Sequence, residues 1–482
     1  MIRTFLSAAS ALTLAACATG PDFVAPATPA TAAGRFVAAV TPAVDPLAPV
    51  PAQWWRLYDD PVLDGLVGDA LRANTDLRQA VARLERARAS LREVKTDRLP
   101  AVGVGASAQY GRVGQVQGQA IPGSDAALQV GVGADLAYEV DVFGRVRRGV
   151  EAARGDVGAA DADLQAVRVM VVAETTRAYA DAAAANARIA VAARIVALLD
   201  RSLGVATRRQ EVGLTTRLDP ARIAALRNQR QAQVPGLTAE RDAALFRLAT
   251  LTGRAPADLP PAARARTGPL RLALPIPVGD GAALLARRPE VRAAERRLAA
   301  ATARIGVASA DLYPRITLGG SVSSARRGFG NVFGANPLTW LLGPLINWSF
   351  SDHARARARV EETQADSRAA LAAFDGTVLT ALRDTETALS AYANALDRRI
   401  ALQAARNAAE VAVRIVRAQQ REGQVDSLAQ LDAERTSADT EADLALADAQ
   451  VATAQIDLFR ALGGGWGPVD ETVSVTRPAA LR

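Results

Sequence analysis

Several positions from 80 to 100 carry the same residue 214 places later in the chain. Ala80 meets Ala294, Arg83 meets Arg297, Leu84 meets Leu298, Ala87 meets Ala301, Asp97 meets Asp311, and Pro100 meets Pro314. Further on the offset drifts by a few residues: Ala178-Tyr179 faces Ala391-Tyr392, Gly213 faces Gly423, and Leu251-Thr252-Gly253 faces Leu462-Gly463-Gly464. A self-match at so long a period means one structural unit built twice. Whatever one half folds into, the other half must repeat.

Each half reads as helix, strand pair, and long helical hairpin. Helices are expected over about 61–95 and 281–309, opened by the boundary signals Asp60-Pro61 and Arg288-Pro289. Leu128, Val130, Val132, Ala134, Leu136, Tyr138 and Val140 alternate with Gln129, Gly131, Gly133, Asp135, Ala137, Glu139 and Asp141. That period of two belongs to a strand, not to an amphipathic helix. Val102, Val104, Ala106, Ala108 and Tyr110 give its partner. In the second half Ile316, Leu318 and Val322 form one strand, and Trp340, Leu342, Ile346, Trp348 and Phe350 the other. One apolar face over about ten residues is the pattern of a transmembrane β-strand, although a sandwich strand alternates in the same way. The glycine-rich connections, Gly111–Ala127 and Ala325–Pro337, suit an extracellular side. The run from Gly328 to Gly334 joins two strands rather than opening a helix, so it is no nucleotide loop.

Two proline-free helices follow, about 145–212 and 353–422. At about 1.5 Å per residue, some 60 residues reach roughly 90 Å. Each reverses at a glycine, Gly213 within Glu211–Asp219 and Gly423 within Arg421–Ala429, where the tight turn favours a residue without a side chain. Pro220 falls where a first-turn proline is tolerated. Pro235 should kink the first return helix.

Composition narrows the class. Half of the 482 residues are hydrophobic, but beyond the N-terminal segment no run approaches the roughly 20 apolar residues of a membrane helix, which excludes a multispanning helical transporter. Arginines are dispersed beside aspartates and glutamates, and the net charge is only +7, so the basic balance reads as solvated helix faces and not as a nucleic-acid surface. Arg3, the apolar stretch Phe5–Ala16 and small residues before Cys17 describe a secretory signal peptide. Leu14-Ala15-Ala16-Cys17 also looks like a lipobox. Cys17 is the only cysteine in the chain, which fits a lipid-attachment residue better than half a disulfide. A Pro/Ala-rich extended tether is expected from Gly20 to about Val50.

Four membrane strands cannot close, because an open edge in lipid leaves backbone groups unpaired. Two copies would give a barrel of about eight strands, filled by its own side chains. Three copies give twelve strands and an open lumen, so the geometry points to a trimer. Asp135, Glu139 and Asp141 would then face a water-filled pore or its rim.

Several stretches match a known family. They are Gly20-Pro21-Asp22-Phe23, Trp54-Trp55 with Asp60–Leu63, Asn74–Leu77, Tyr138–Arg145 (YEVDVFGR), Leu284–Val291 (LLARRPEV), Ala294-Glu295 and Tyr313-Pro314. In this order they span nearly the whole chain, which resembles the TolC-like outer membrane factors, in particular the NodT-type or OprM-like lipoproteins. The resemblance implies an α+β membrane protein: a trimeric twelve-stranded β-barrel, four strands per chain, continued by an α-helical barrel with a small mixed equatorial region. It divides the chain into a signal peptide (1–16), a lipid-anchored tether (17–50), two efflux repeats (51–270 and 271–466) and a tail (467–482). The implied partners are two further copies of the chain, a periplasmic adaptor, a proton-driven inner-membrane pump and outer-membrane lipid. No cofactor, metal or nucleic acid is expected.

Nor is an enzyme expected. His353 is the only histidine and stands where a strand hands over to a helix, as a cap or rim residue. In related channels, charged residues near the hairpin tips constrict the pore. The positions here that match or adjoin that pattern are Asp219, Arg421, Asp426 and Asp432, while Val425 and Ala429 stand where the best-known member has an arginine and an aspartate. Those aspartates could equally serve as helix caps. The competing reading is a periplasmic adaptor or other envelope lipoprotein without a pore, which predicts one hairpin rather than two.

Overall fold

A computed structural model describes residues 19–27, 30–39, 41–111, 126–272, 274–327, 338–348 and 352–464. The described residues form two compact units, one drawn from 1–26, 83–161 and 293–375, the other from 27–82, 162–292 and 376–482. The first half contributes α1 (Ala30–Ala33), β1 (Val44–Asp45), a 3₁₀ turn (Trp54–Tyr58), α2 (Pro61–Ala73), α3 (Thr75–Thr96), β2 (Ala101–Gly111) and β3 (Ala127–Glu139). Then come α4 (Arg145–Glu211), α5 (Leu218–Gln231), α6 (Gln233–Leu251) and α7 (Ala262–Ala265). The second half runs β4 (Ile276–Pro277), α8 (Gly281–Arg287), α9 (Pro289–Ala310), β5 (Arg315–Arg327), β6 (Leu338–Asn347), α10 (His353–Arg421) and α11 (Ser427–Ala461). The two connections between paired strands, residues 112–125 and 328–337, and the tail beyond 464 lie outside the described residues, as does Cys17 with the expected signal peptide.

In the first unit one antiparallel sheet runs in the order β2-β3-β5-β6. Its register sorts the side chains by face. Val104, Ala134, Val322 and Trp340 lie in one cross-strand row, and Val102, Leu136, Gly320 and Leu342 in the next. The opposite face carries Gly103, Asp135, Ser321 and Leu341, then Gly105, Gly133, Ser323 and Thr339. The last strand ends at Asn347, so Trp348 falls just beyond it and Phe350 lies outside the described residues. Where the sheet hands over to helix, Gly155 of α4 packs on α9 so closely that a Cβ there would stand 2.9 Å from the Ala300 methyl.

The second unit holds the large core. Trp54 is fully buried, stacked on Phe459 at 4.6 Å and edge-on to Trp55 and Tyr58. Leu63, Tyr179, Leu248, Ile276, Leu389 and Ile456 close around it. Gly464 lies against Trp54, where a Cβ would come within 2.8 Å of the indole Cδ1.

Three expectations need correction. The first helix of each half is broken. Asn74 ends α2 and caps α3, accepting from the N–H groups of Asp76 (2.9 Å) and Leu77 (3.1 Å) while its own amide donates to the Leu251 carbonyl. Arg288 separates α8 from α9, extended as a residue before proline must be. The segment from 30 to 50 is no loose tether either: Phe36, Val44 and Val50 are buried, and β1 pairs in parallel with β4. Glu386 accepts from the N–H groups of Val37 and Ala38 at 2.7 and 2.8 Å. Alternation and helical period carry no trace of such a segment, because its partners come from elsewhere in the chain. Finally, α4 includes one stretch that is, by length and composition, apolar enough to cross a bilayer; half of it is buried.

Candidate functional site

Both hairpin tips are built by the same backbone device. At the end of α4, Gly213 N–H donates to the Gln210 carbonyl and Leu214 N–H to the Arg209 carbonyl, with Gly213 at φ +77°. At the end of α10, Gly423 N–H donates to Gln420 and Gln424 N–H to Gln419, with Gly423 at φ +73°. This pair of bonds is the Schellman cap, which needs a left-handed residue and so favours glycine. The same cap closes α6 at Gly253 and α11 at Gly463. Both glycine pairs are 210 residues apart (423 − 213 and 463 − 253). The caps therefore equate Gly253 with Gly463, one residue away from the pairing with Gly464 expected from the sequence.

The charged tip residues separate by role. Asp426 precedes α11 and accepts from the Ala429 N–H at 2.9 Å, an N-cap. Asp219 lies in the first turn of α5 and accepts from the Thr215 hydroxyl. Arg421 is the last residue of α10, and its Nε donates to the Arg417 carbonyl at 3.3 Å. Asp432 is exposed one turn into α11. The return limb of the first hairpin is interrupted at Ala232, between α5 and α6. Pro235 lies three residues on; its missing N–H and its ring act on the carbonyl four residues back, at Gln231. The second return limb, α11, is continuous.

Deeper in the hairpins lies a residue the sequence reading passed over. Glu434 is 1% exposed and surrounded by donors: Ser202 Oγ at 2.9 Å, Gln430 Nε2 at 2.8 Å, and Arg417 through Nε and a terminal nitrogen, both at 3.2 Å. Nothing in its local pattern marks it, since three of those four bonds come from other helices, α4 and α10. The same cluster lines a groove of about 500 Å³ together with Arg201, Arg209, Arg421, Gln420, Val205 and Ile223.

In the first unit the stretch Tyr138–Arg145 makes the turn from sheet to helix. Glu139 accepts from Arg145 Nε and a terminal nitrogen at 2.8 and 2.6 Å. Asp141 caps α4, accepting from the N–H groups of Val146 (2.9 Å) and Arg147 (2.7 Å), and Gly144 supplies the left-handed turn at φ +81°. Phe143 stacks on Tyr313 at 4.6 Å. Glu139 and Asp141 are thus committed to local bonds, whereas Asp135 stays on the small-residue face opposite Gly103 and Ser321. Thr19 bonds the Phe143 carbonyl through its N–H and hydroxyl, and Asp22 pairs with Arg148 at 2.7 Å. His353 is the first residue of α10, in a shallow cavity with Tyr313, Arg315 and Asp352. Among the described residues no three His, Cys, Asp or Glu side chains are grouped to hold a metal ion.

A sheet apolar on one face, long helices, and two Schellman-capped hairpins find close counterparts. The family model for outer membrane efflux proteins matches twice, at residues 66–254 and 282–464. The chain belongs to the outer membrane efflux protein family. It is 32% identical to outer membrane protein OprJ of Pseudomonas aeruginosa over 469 residues, covering 95% of this chain and 94% of that protein. It is 28% identical to nodulation protein T of Rhizobium leguminosarum bv. viciae, covering 94% of this chain and 92% of that one. Among solved structures, the outer-membrane channel OprN superposes with a TM-score of 0.87 at 36% identity, covering 93% of this chain and all of that one. The open state of the Neisseria gonorrhoeae MtrE channel gives 0.80 at 28%, covering 93% and 98%. The fold is that of the TolC-like outer membrane channels, and the stretches quoted for that resemblance are the ones that cap, stack and turn here.

Proposed function

We propose that this family member is the outer-membrane channel of a tripartite efflux system, a passive gated duct for substrates delivered by an inner-membrane pump and a periplasmic adaptor. The observation that carries the reading is the four-stranded sheet with an apolar row running unbroken from Val104 to Trp340 and, among the described residues, no partner on the outer edges of β2 and β6. Such a sheet satisfies its backbone in lipid only by closing with other copies. Three copies make a twelve-stranded barrel with the apolar rows toward lipid and the glycine and serine rows toward a lumen wide enough to stay open. The paired hairpins of three copies form a helical barrel, and the recurrence of the same caps 210 residues apart supports two efflux repeats, 51–270 and 271–466. Residues 1–16 are a signal peptide, Cys17 carries the lipid, and Thr19, held two residues on by Phe143, supports an anchor set close to the body of the protein. Relatives named as efflux pump outer membrane proteins, ArpC and TtgC of Pseudomonas putida, support the partnership with an inner-membrane pump.

The duct narrows at the hairpin tips, where Gly213 and Gly423 turn the chain toward the adaptor. Asp219, Arg421, Asp426 and Asp432 are the charged residues nearest the axis in that reading; clustered carboxylates around a threefold axis would favour cations. The test is conductance of the purified full-length protein in planar bilayers, with its mass measured alongside. Small, mostly closed channels from a trimer are expected. A monomer without conductance overturns the duct and restores the adaptor reading.

A further inference from the structure

Glu434 joins three helices through one carboxylate. Its Oε2 accepts from Ser202 on α4, in the first hairpin, while its Oε1 accepts from Arg417 on α10, the outgoing limb of the second hairpin, and from Gln430 on α11 itself. A carboxylate buried to this degree costs free energy unless each oxygen is paired, and removing one partner leaves the charge uncompensated. The limb α11 has further ties to the first hairpin, Asp439 to Arg230, Glu441 to Arg194 (2.7 Å) and, farther from the tip, Asp457 to Arg177, all more exposed than Glu434. The limb α10 reaches α11 through Arg399 and Asp448 at 2.5 Å, well back from the tip, and then through Arg417 and Glu434. Glu434, Arg417 and Ser202 line one groove together with Arg201, Arg209 and Arg421, so the buried carboxylate is the acid in a ring of arginines.

We infer that Glu434 is the residue that positions the gate: it holds α10 against α11 through Arg417, and both against α4 through Ser202, so its release frees the tip of the second hairpin. This rests on the duct reading. The capped Asp426 then sets the turn, and the buried Glu434 sets how far the turn can swing.

The test uses the full-length trimer in planar bilayers. Glu434→Gln keeps an acceptor for Ser202 and loses the charge that Arg417 needs; it should raise open probability by roughly five-fold, the loss of one good hydrogen bond. Arg417→Ala should open the channel further, because it strands the buried carboxylate, and adding Glu434→Gln to it should reverse part of that gain. Glu441→Gln, at the more exposed tie, should leave conductance unchanged. In the Ser202→Cys/Glu434→Cys pair, a short thiol cross-linker should return open probability to the wild-type level; Cys17 is the only other cysteine. Glu434→Gln trimers that conduct like wild type, or Arg417→Ala and Glu434→Gln effects that simply add, overturn the latch. A wild-type trimer with no channel at all overturns the duct reading instead.

Discussion

The Tyr179 hydroxyl donates to Asp60 across 3.0 Å, and the same carboxylate oxygen accepts from Arg266 at 2.5 Å while its twin caps α2 at the N–H groups of Val62 and Leu63. One aspartate therefore starts a helix and anchors α4 in the core. Burial, and then the Asp60 charge, push the Tyr179 phenol from its ordinary value near 10 up to about 12, and burial moves Tyr58 in the same direction. Below pH 10 both phenols are protonated whether the chain is folded or not. Above it the unfolded chain ionises first, so stability should drain as the pH rises from about 10 toward 12. Denaturation midpoints at pH 9 and pH 11 measure the drop, and Tyr179→Phe should shrink it. At neutral pH the same change should cost about 1–2 kcal/mol, the loss of one bond to a charged acceptor.

The two faces of the sheet should differ in what they tolerate. Val104→Arg, on the apolar row, should cost about 2–4 kcal/mol near the bilayer centre and block assembly in the membrane. Ser323→Arg, on the opposite face in the row of Gly105, Gly133 and Thr339, should assemble and lower cation conductance. Trimer yield in membrane fractions and single-channel recording read the two outcomes.

At the tips, a neutral isostere distinguishes cap from charge. Asp426→Asn keeps an N-cap acceptor, so it should leave stability unaltered while the lost charge raises conductance, whereas Asp426→Ala should also cost about 1 kcal/mol of local stability. Asp432→Asn, at an exposed position with no cap to serve, should raise conductance. Recordings at neutral pH, with hydrogen exchange of the first turn of α11, decide between them.

Gly306 lies where the segment around Thr19 crosses α9: an added Cβ would stand 2.7 Å from Arg148 Cγ and 2.9 Å from the Thr19 carbonyl. Gly306→Ala should cost about 1–3 kcal/mol by overpacking and loosen residues 19–22. Protease sensitivity just after residue 19, compared with wild type, is the check.

The strands and tips were legible because they write themselves in short-range pattern. Val102 to Tyr110 and Leu128 to Tyr138 alternate at the period of a pleat, and Gly213 and Gly423 stand where a cap requires a left-handed residue. What stayed hidden depends on distant partners. Phe36, Val44 and Val50 look like apolar residues in a proline-rich leader, and only Ile276, Glu386 and Arg287 show why they are buried. Asn74 reads as one more helical residue until the Leu251 carbonyl gives its amide a partner. Glu434 reads as one more solvated acid on α11, and its two donors from other helices, Ser202 and Arg417, are visible only in space.

The pairing of β3 with β5 has a consequence for how the protein comes to exist. Tyr138 stands opposite Leu318, so the central seam of the sheet joins segments separated by the whole first hairpin. Closing so large a loop is entropically slow, as for any sheet dominated by non-local pairs. Until the second half has been exported, the β2-β3 hairpin waits with an apolar face and two open edges, an invitation to wrong pairing. A chain with this topology matures late and all at once, and its survival in the periplasm before then depends on being kept from its own neighbours.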